Sequence, residues 1–119
     1  MTNLNLKLIE YKMKVKIRDL FNIEKGSVQS SKNIDGNYIF VTASSEWKTH
    51  NSYSHKSEAL IFAAAASGSL GRIHYINDKF IASDLCFILT PSKKFKEKLD
   101  LKFYHLIFEM FRDDIVSST

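Results

Sequence analysis

Two polar stretches of this sequence carry most of the side chains able to do chemistry. Gly26 to Lys32 holds Ser27, Gln29, Ser30, Ser31 and Lys32, with Lys25 just before it. Ala43 to Ser57 holds Trp47, Lys48, Thr49, His50, Asn51, His55 and Lys56. Amide groups such as those of Gln29 and Asn51 can give and take hydrogen bonds together, which suits the edge of an adenine, and His50 and His55 can bond base edges too. Lys25, Lys32, Lys48 and Lys56 are cations of the kind that neutralise phosphates. The hydroxyls of Ser27, Ser30, Ser31 and Thr49 bond either partner. Trp47 can stack on a base or sugar, or anchor its loop in the core. Arg72 follows a Gly-rich turn and can hold a phosphate, or pair with Asp78 or Asp84. Each of these is equally readable as a solvated loop residue.

Other chemistry is harder to build. Ser45-Glu46-Trp47-Lys48 matches S-x-x-K, but no S-D-N or K-T-G element accompanies it, so a serine hydrolase of that type is rejected. His50 and His55 do not have H-E-x-x-H spacing, and one cysteine, Cys86, cannot found a zinc cluster. Gly68 and Gly71 are not followed by G-K-[ST]. No catalytic residue, metal ligand or cofactor is therefore expected. Cys86 sits in the apolar run Leu85–Leu89 and reads as a buried, inert thiol.

The scaffold for these residues is one domain, since 119 residues can bury a core without staples. Hydrophobic residues make up 45% and charged residues 25%, the balance of a globular chain. The net charge of +4 favours a polyanionic partner. No run approaches the roughly 20 apolar residues of a membrane span, and no signal peptide is legible. A reducing, cytoplasmic setting is expected, with no membrane partner.

Strands are expected where residues alternate. Leu4, Leu6 and Leu8 form one set, and Met13, Val15 and Ile17 another after a slip in register. A helical turn at Arg18–Phe21 leads into alternation through Phe21–Lys25 that stops at Gly26. Ser27–Asn37 reads as a loop, Tyr38–Thr42 as a strand, and Ala43–Ser57 as a long loop, a setting in which function concentrates. Glu58–Ala65 has the composition of a helix but precedes turn chemistry at Ser67–Gly71, so a strand is expected. Arg72–Ile76 is a strand, Asn77–Lys79 a tight turn, and Phe80–Ala82 and Leu85–Thr90 further strands closed by Pro91. A final amphipathic helix spans about residues 100–116, with Asp100 as N-cap.

The order of these pieces resembles a known family. Ile17-Arg18-Asp19-Leu20-Phe21-Asn22-Ile23-Glu24-Lys25-Gly26 is similar to the opening of the target recognition domains of type I restriction–modification specificity subunits, an "LGDIF" turn and a strand ending in glycine. Gly36-Asn37-Tyr38-Ile39-Phe40-Val41-Thr42-Ala43-Ser44 resembles their "GxYPFVTAS" strand. Residues 61–75 resemble their "IxxGxxGSxGxxxY" element, although Ala63–Ala66 stand where that element carries a glycine. Phe80–Leu89 is similar to "FxxSDxxxxL", with Ser83-Asp84 as the SD pair, Asp84 reading as structural and bonding turn amides.

The resemblance, over residues 15–112, implies an α+β fold: a twisted, mostly antiparallel sheet with short helices and the C-terminal helix. It implies sequence-specific reading of one half of a split double-stranded DNA target. It also implies a partner adenine methyltransferase and a restriction subunit that carry the chemistry, with S-adenosylmethionine and ATP bound there. The family's full subunit joins two recognition domains by long helices, so this chain is expected as a fragment, a pairing half-subunit or a stand-alone relative. Two other readings stay open. One is an interaction or dimerisation module using Phe103, Tyr104, Phe108 and Phe111 of the last helix, with a homodimer or second recognition half as partner. The other is a small hydrolase using Lys48 or His50.

Overall fold

The computed structural model describes residues 19–63, 72–95 and 99–110. The strands expected at residues 4–8 and 13–17, the turn at 67–71 and the last residues of the helix lie outside these. Among the described residues, six strands form one sheet: β1 (Phe21–Lys25), β2 (Tyr38–Val41), β3 (Lys48–His50), β4 (His55–Ala63), β5 (Ile73–Ala82) and β6 (Cys86–Pro91). Among the described residues, Asp19 and Leu20 are helical just before β1, one helix follows the sheet, α1 (Leu101–Met110), and short 3-10 turns occupy Ser30–Lys32 and Lys93–Phe95.

The strand order is β1-β6-β4-β5-β2-β3. Every pairing is antiparallel except β2 with β5. The expectation of a mostly antiparallel α+β fold holds.

Two boundaries differ from the sequence reading. The segment from Ala43 to Ser57 is not one loop. Lys48–His50 pairs with Tyr38–Phe40 as a hairpin, and β4 starts at His55. Residues Thr42 to Glu46 make the hairpin turn through side chains: Thr42 Oγ1 donates to the Glu46 carbonyl at 2.7 Å, and Ser44 Oγ donates to it at 3.0 Å. Polarity here marks turn chemistry rather than a long free loop. Asn77-Asp78-Lys79 is not a turn either. These residues lie inside β5 opposite Glu58, Ser57 and Lys56. Asn77 and Asp78 are exposed, so turn-favouring residues are tolerated there because the ladder on β4 outweighs local preference.

β4 shows why its alanines do not make a helix. Its partners β5 and β6 lie on both sides, and both faces of Ala59–Ala63 are covered. Ala59, Ile61 and Ala63 point to one core with Val41, Ala43, Ile76, Phe80, Ala82, Cys86 and Ile88. Leu60 points to the other, with Phe21, Ile73, Leu89, Leu101 and Phe108. A strand buried on both faces reads as a continuous apolar run.

The sheet also coils. Phe80 of β5 pairs with His55, at one end of β4, while Cys86 of β6 pairs with Ala63, at the other. Those two points on β4 are about 26 Å apart along the strand. The chain from Phe80 to Cys86 can reach only about 20–22 Å. The sheet must bend over itself, and Ala43, Ala59, Ala63 and Ala82 supply the small inner surface that lets it close.

The opposite face is covered by α1, whose Leu101 and Phe108 are buried. Tyr104 packs edge-on against Phe21 at 5.5 Å. Asp100 caps the helix as expected, its Oδ1 accepting from the Phe103 N–H at 3.1 Å.

Candidate nucleic-acid interface

The first polar stretch is placed by a crossing that only glycine permits. After β1 the chain passes over the end of β5, with Gly26 N–H donating to the Cys86 carbonyl at 2.8 Å and Ser27 N–H to Ala82 at 3.0 Å. A Cβ on Gly26 would fall within the Ser83 carbonyl group. Ser83 is fully buried and fixes the junction: its N–H donates to Val41 at 2.9 Å, and its Oγ accepts from Leu85 N–H at 3.1 Å. The hydroxyl of Ser83, and not the Asp84 carboxylate, thus bonds the turn amide. Asp84 contributes its N–H to Val28 at 2.9 Å.

The second stretch meets the first at β3. His50 is only 8% exposed, and its Nδ1–H donates to Asn33 Oδ1 at 2.7 Å. The acceptor is an amide oxygen, so Nδ1 carries the proton. The His50 ring lies 5.7 Å from Phe40. Gly36 completes the seam, since a Cβ there would collide with the backbone of His50 and Asn51. The result is an open hollow of about 540 Å³ lined by residues from both stretches, among them Gln29, Lys32, His50, Asn51 and Asp84. Ser30 and Ser31 are exposed on the 3-10 turn that carries Lys32.

The remaining sequence candidates sit elsewhere. Trp47 packs edge-on against His74 at 5.3 Å and is 37% exposed, so it is anchored and still offers a surface. His74 Nε2–H donates to the Ser44 carbonyl at 2.9 Å. Burial lowers the His74 pKa from 6.5; the Ser44 hydrogen bond opposes that and the nearby Arg72 charge adds to it. Arg72 is partly buried, its Nε lacks a hydrogen-bond partner, and among the described residues it makes no salt bridge with Asp78 or Asp84.

His55 is tied down three ways. Its Nε2 is 3.2 Å from Glu24 Oε2, its Nδ1 is 2.6 Å from Ser54 Oγ, and its ring stacks on Phe80 at 5.1 Å. Lys25 and Lys48 are exposed at the end of β1 and the start of β3. Lys56 is exposed on β4.

The register relates several of these. Lys56 pairs with Lys79; the next residue, Phe80, pairs with Ile39; and Tyr38 and Phe40 pair with His50 and Lys48. Lys48, His50, Lys79 and Lys56 therefore share one face of the sheet. Lys79 was missed because its neighbours imitate a turn.

The fold matches, with a TM-score of 0.71, the crystal structure of a type I restriction–modification system S subunit from M. genitalium. Identity is 16%, over 83% of this chain and 26% of that one, so this chain spans about a quarter of that subunit's length. That likeness concerns fold. Residues 9–119 match the family described as type I restriction modification DNA specificity domain, and the chain belongs to that family. No curated protein matches the sequence.

Proposed function

We propose that this domain reads one half of a split double-stranded DNA target. The observation that carries the reading is the hollow in which Gln29 and Lys32 meet His50 and Asn51 across the Asn33–His50 bond. Gln29 and Asn51 offer amides to base edges in the major groove. Lys32 supplies a phosphate contact, with Lys25, Lys48, Lys56 and Arg72 further out and the Ser30 and Ser31 hydroxyls at the rim. His50 acts from beneath, holding Asn51 rather than touching a base, and His55 likewise holds the start of β4 for Lys56. Trp47 presents its exposed edge to the sugar–phosphate backbone. The domain places a partner adenine methyltransferase and a restriction subunit, which bring the catalysis.

The test is binding to a pool of random duplexes at several salt concentrations. A preferred sequence should emerge, with affinity falling steeply as salt rises. Gln29→Ala and Asn51→Ala should relax the preference at particular positions. Equal binding of every duplex at every salt concentration overturns the reading.

One observation favours a second reading. Phe103, Leu106 and Met110 are 54%, 58% and 66% exposed, a stripe on one side of α1 that fits a protein partner or a second copy. Mass in solution separates the two, because a strict monomer that binds DNA selectively speaks against it.

A further inference from the structure

Lys56 and Lys79 stand directly opposite each other on neighbouring antiparallel strands. Side chains so placed leave the sheet about 5 Å apart, and like charges there repel. Among the described residues neither lysine has a salt bridge to relieve this. Glu58, on the same face, accepts from the Tyr75 hydroxyl. Asp78 alternates to the opposite face, its Oδ1 taking the Lys79 N–H at 2.7 Å. Lys79 is further steered by an aromatic platform: its Nζ lies 5.5 Å from the Tyr53 ring centre, and Tyr53 packs on Tyr38 at 4.8 Å. Both lysines line one shallow depression with Ser57, Asn77 and Asp78, and among the described residues α1 packs at the far end of that sheet face, over Leu60 and Ile73.

Two opposed ammonium groups with no ion-pair partner among the described residues favour an anion held between them. Their row continues across β2 to His50 and Lys48 on the same face, beside the reading hollow. We propose that Lys56 and Lys79 together clamp one phosphodiester of the DNA backbone, fixing the register at which the hollow meets the bases. This rests on the DNA-reading function above and assigns Lys79 a role in it.

The test compares Lys56→Gln, Lys79→Gln and the double variant with the unaltered chain. It uses the preferred duplex and a scrambled one across a salt series. Each single change should weaken both duplexes equally, by roughly three- to tenfold, and leave the preferred sequence unchanged. The double variant should lower the slope of log affinity against log salt by about 0.9, the value for one phosphate. Without DNA, Lys56→Gln should melt at the same temperature as the unaltered chain or higher, since a repulsion is removed. A slope lowered by about 1.8 means two separate phosphates and overturns the clamp. Binding loss that tracks a lower melting temperature in both single variants overturns it as a structural effect. Unaltered affinity in the lysine variants, with selective binding intact, overturns this inference alone. Absence of selective binding by the unaltered chain overturns the parent reading and this one with it.

Discussion

Asn33→Ala removes the acceptor that ties the Ser27–Asn37 segment to β3. The His50 Nδ1–H then points at nothing in a site only 8% open to solvent. Leaving a buried donor unpaired costs about 1–3 kcal/mol. For 119 residues the unfolding entropy is about 0.25 kcal/mol per degree, so the melting temperature should fall by about 4–12 °C. His50→Phe keeps the ring against Phe40 and removes the donor. It strands only the Oδ1 of half-buried Asn33, whose Nδ2 still donates to Asp35 at 3.3 Å, so it should cost about 1 kcal/mol or less. In the pair of changes the orphan disappears, and the double variant should be more stable than the sum of the singles predicts, by about 1 kcal/mol or more. Urea melts of the four proteins measure this. A cycle additive within about 0.3 kcal/mol, with Asn33→Ala melting within about 2 °C of the unaltered chain, refutes the seam as described.

Gly26→Ala should lose the native fold or cost more than about 4 kcal/mol, because its Cβ meets backbone at the Ser83 crossing; circular dichroism and expression yield report it. His74 is held neutral by burial, so the unfolded chain binds more protons once the pH drops below 6.5. Its contribution to stability is complete above that value and is lost as the pH falls through the lowered native value. His74→Gln should flatten the stability–pH curve in that window, as read from urea midpoints between about pH 5 and 7.5. The Cys86 thiol is 1% exposed, and burial pushes its pKa up to about 11. It should resist a thiol reagent at neutral pH in the native state and react on unfolding. Phe108→Ala should cost about 3–5 kcal/mol in a urea melt, since the ring is buried between α1 and β1.

Much of the framework was legible because alternation and breakers agree with tertiary demand. Phe21–Lys25 stops at the glycine the crossing requires, Tyr38–Val41 is a strand, and Asp100 caps α1. β4 was readable as a strand against its alanine content because the turn chemistry after it was weighed too. The errors share a cause. Asn77-Asp78-Lys79 and the Thr42–Glu46 region are polar for different reasons, one a solvated stretch of ladder and the other a side-chain-bonded turn. Composition alone does not separate them. Of the site, both polar stretches were visible, but not that Asn33 joins them, because that bond spans 17 positions. Nor could the pairing of Lys56 with Lys79 be seen, since it depends on a register that the assumed turn erased.

The coiled sheet leaves its first described strand waiting. Phe21 faces Pro91 across the β1–β6 ladder, a separation of 91 − 21 = 70 positions. At about 5–20 residues per second, a ribosome finishes that partner roughly 4–14 s after β1 is made. Through that interval the aromatic ring of Phe21 and one whole row of amides have no native mate. Chaperone dependence during translation should therefore concentrate on this end of the chain, and a circular permutant that brings β1 next to β6 should emerge already able to close.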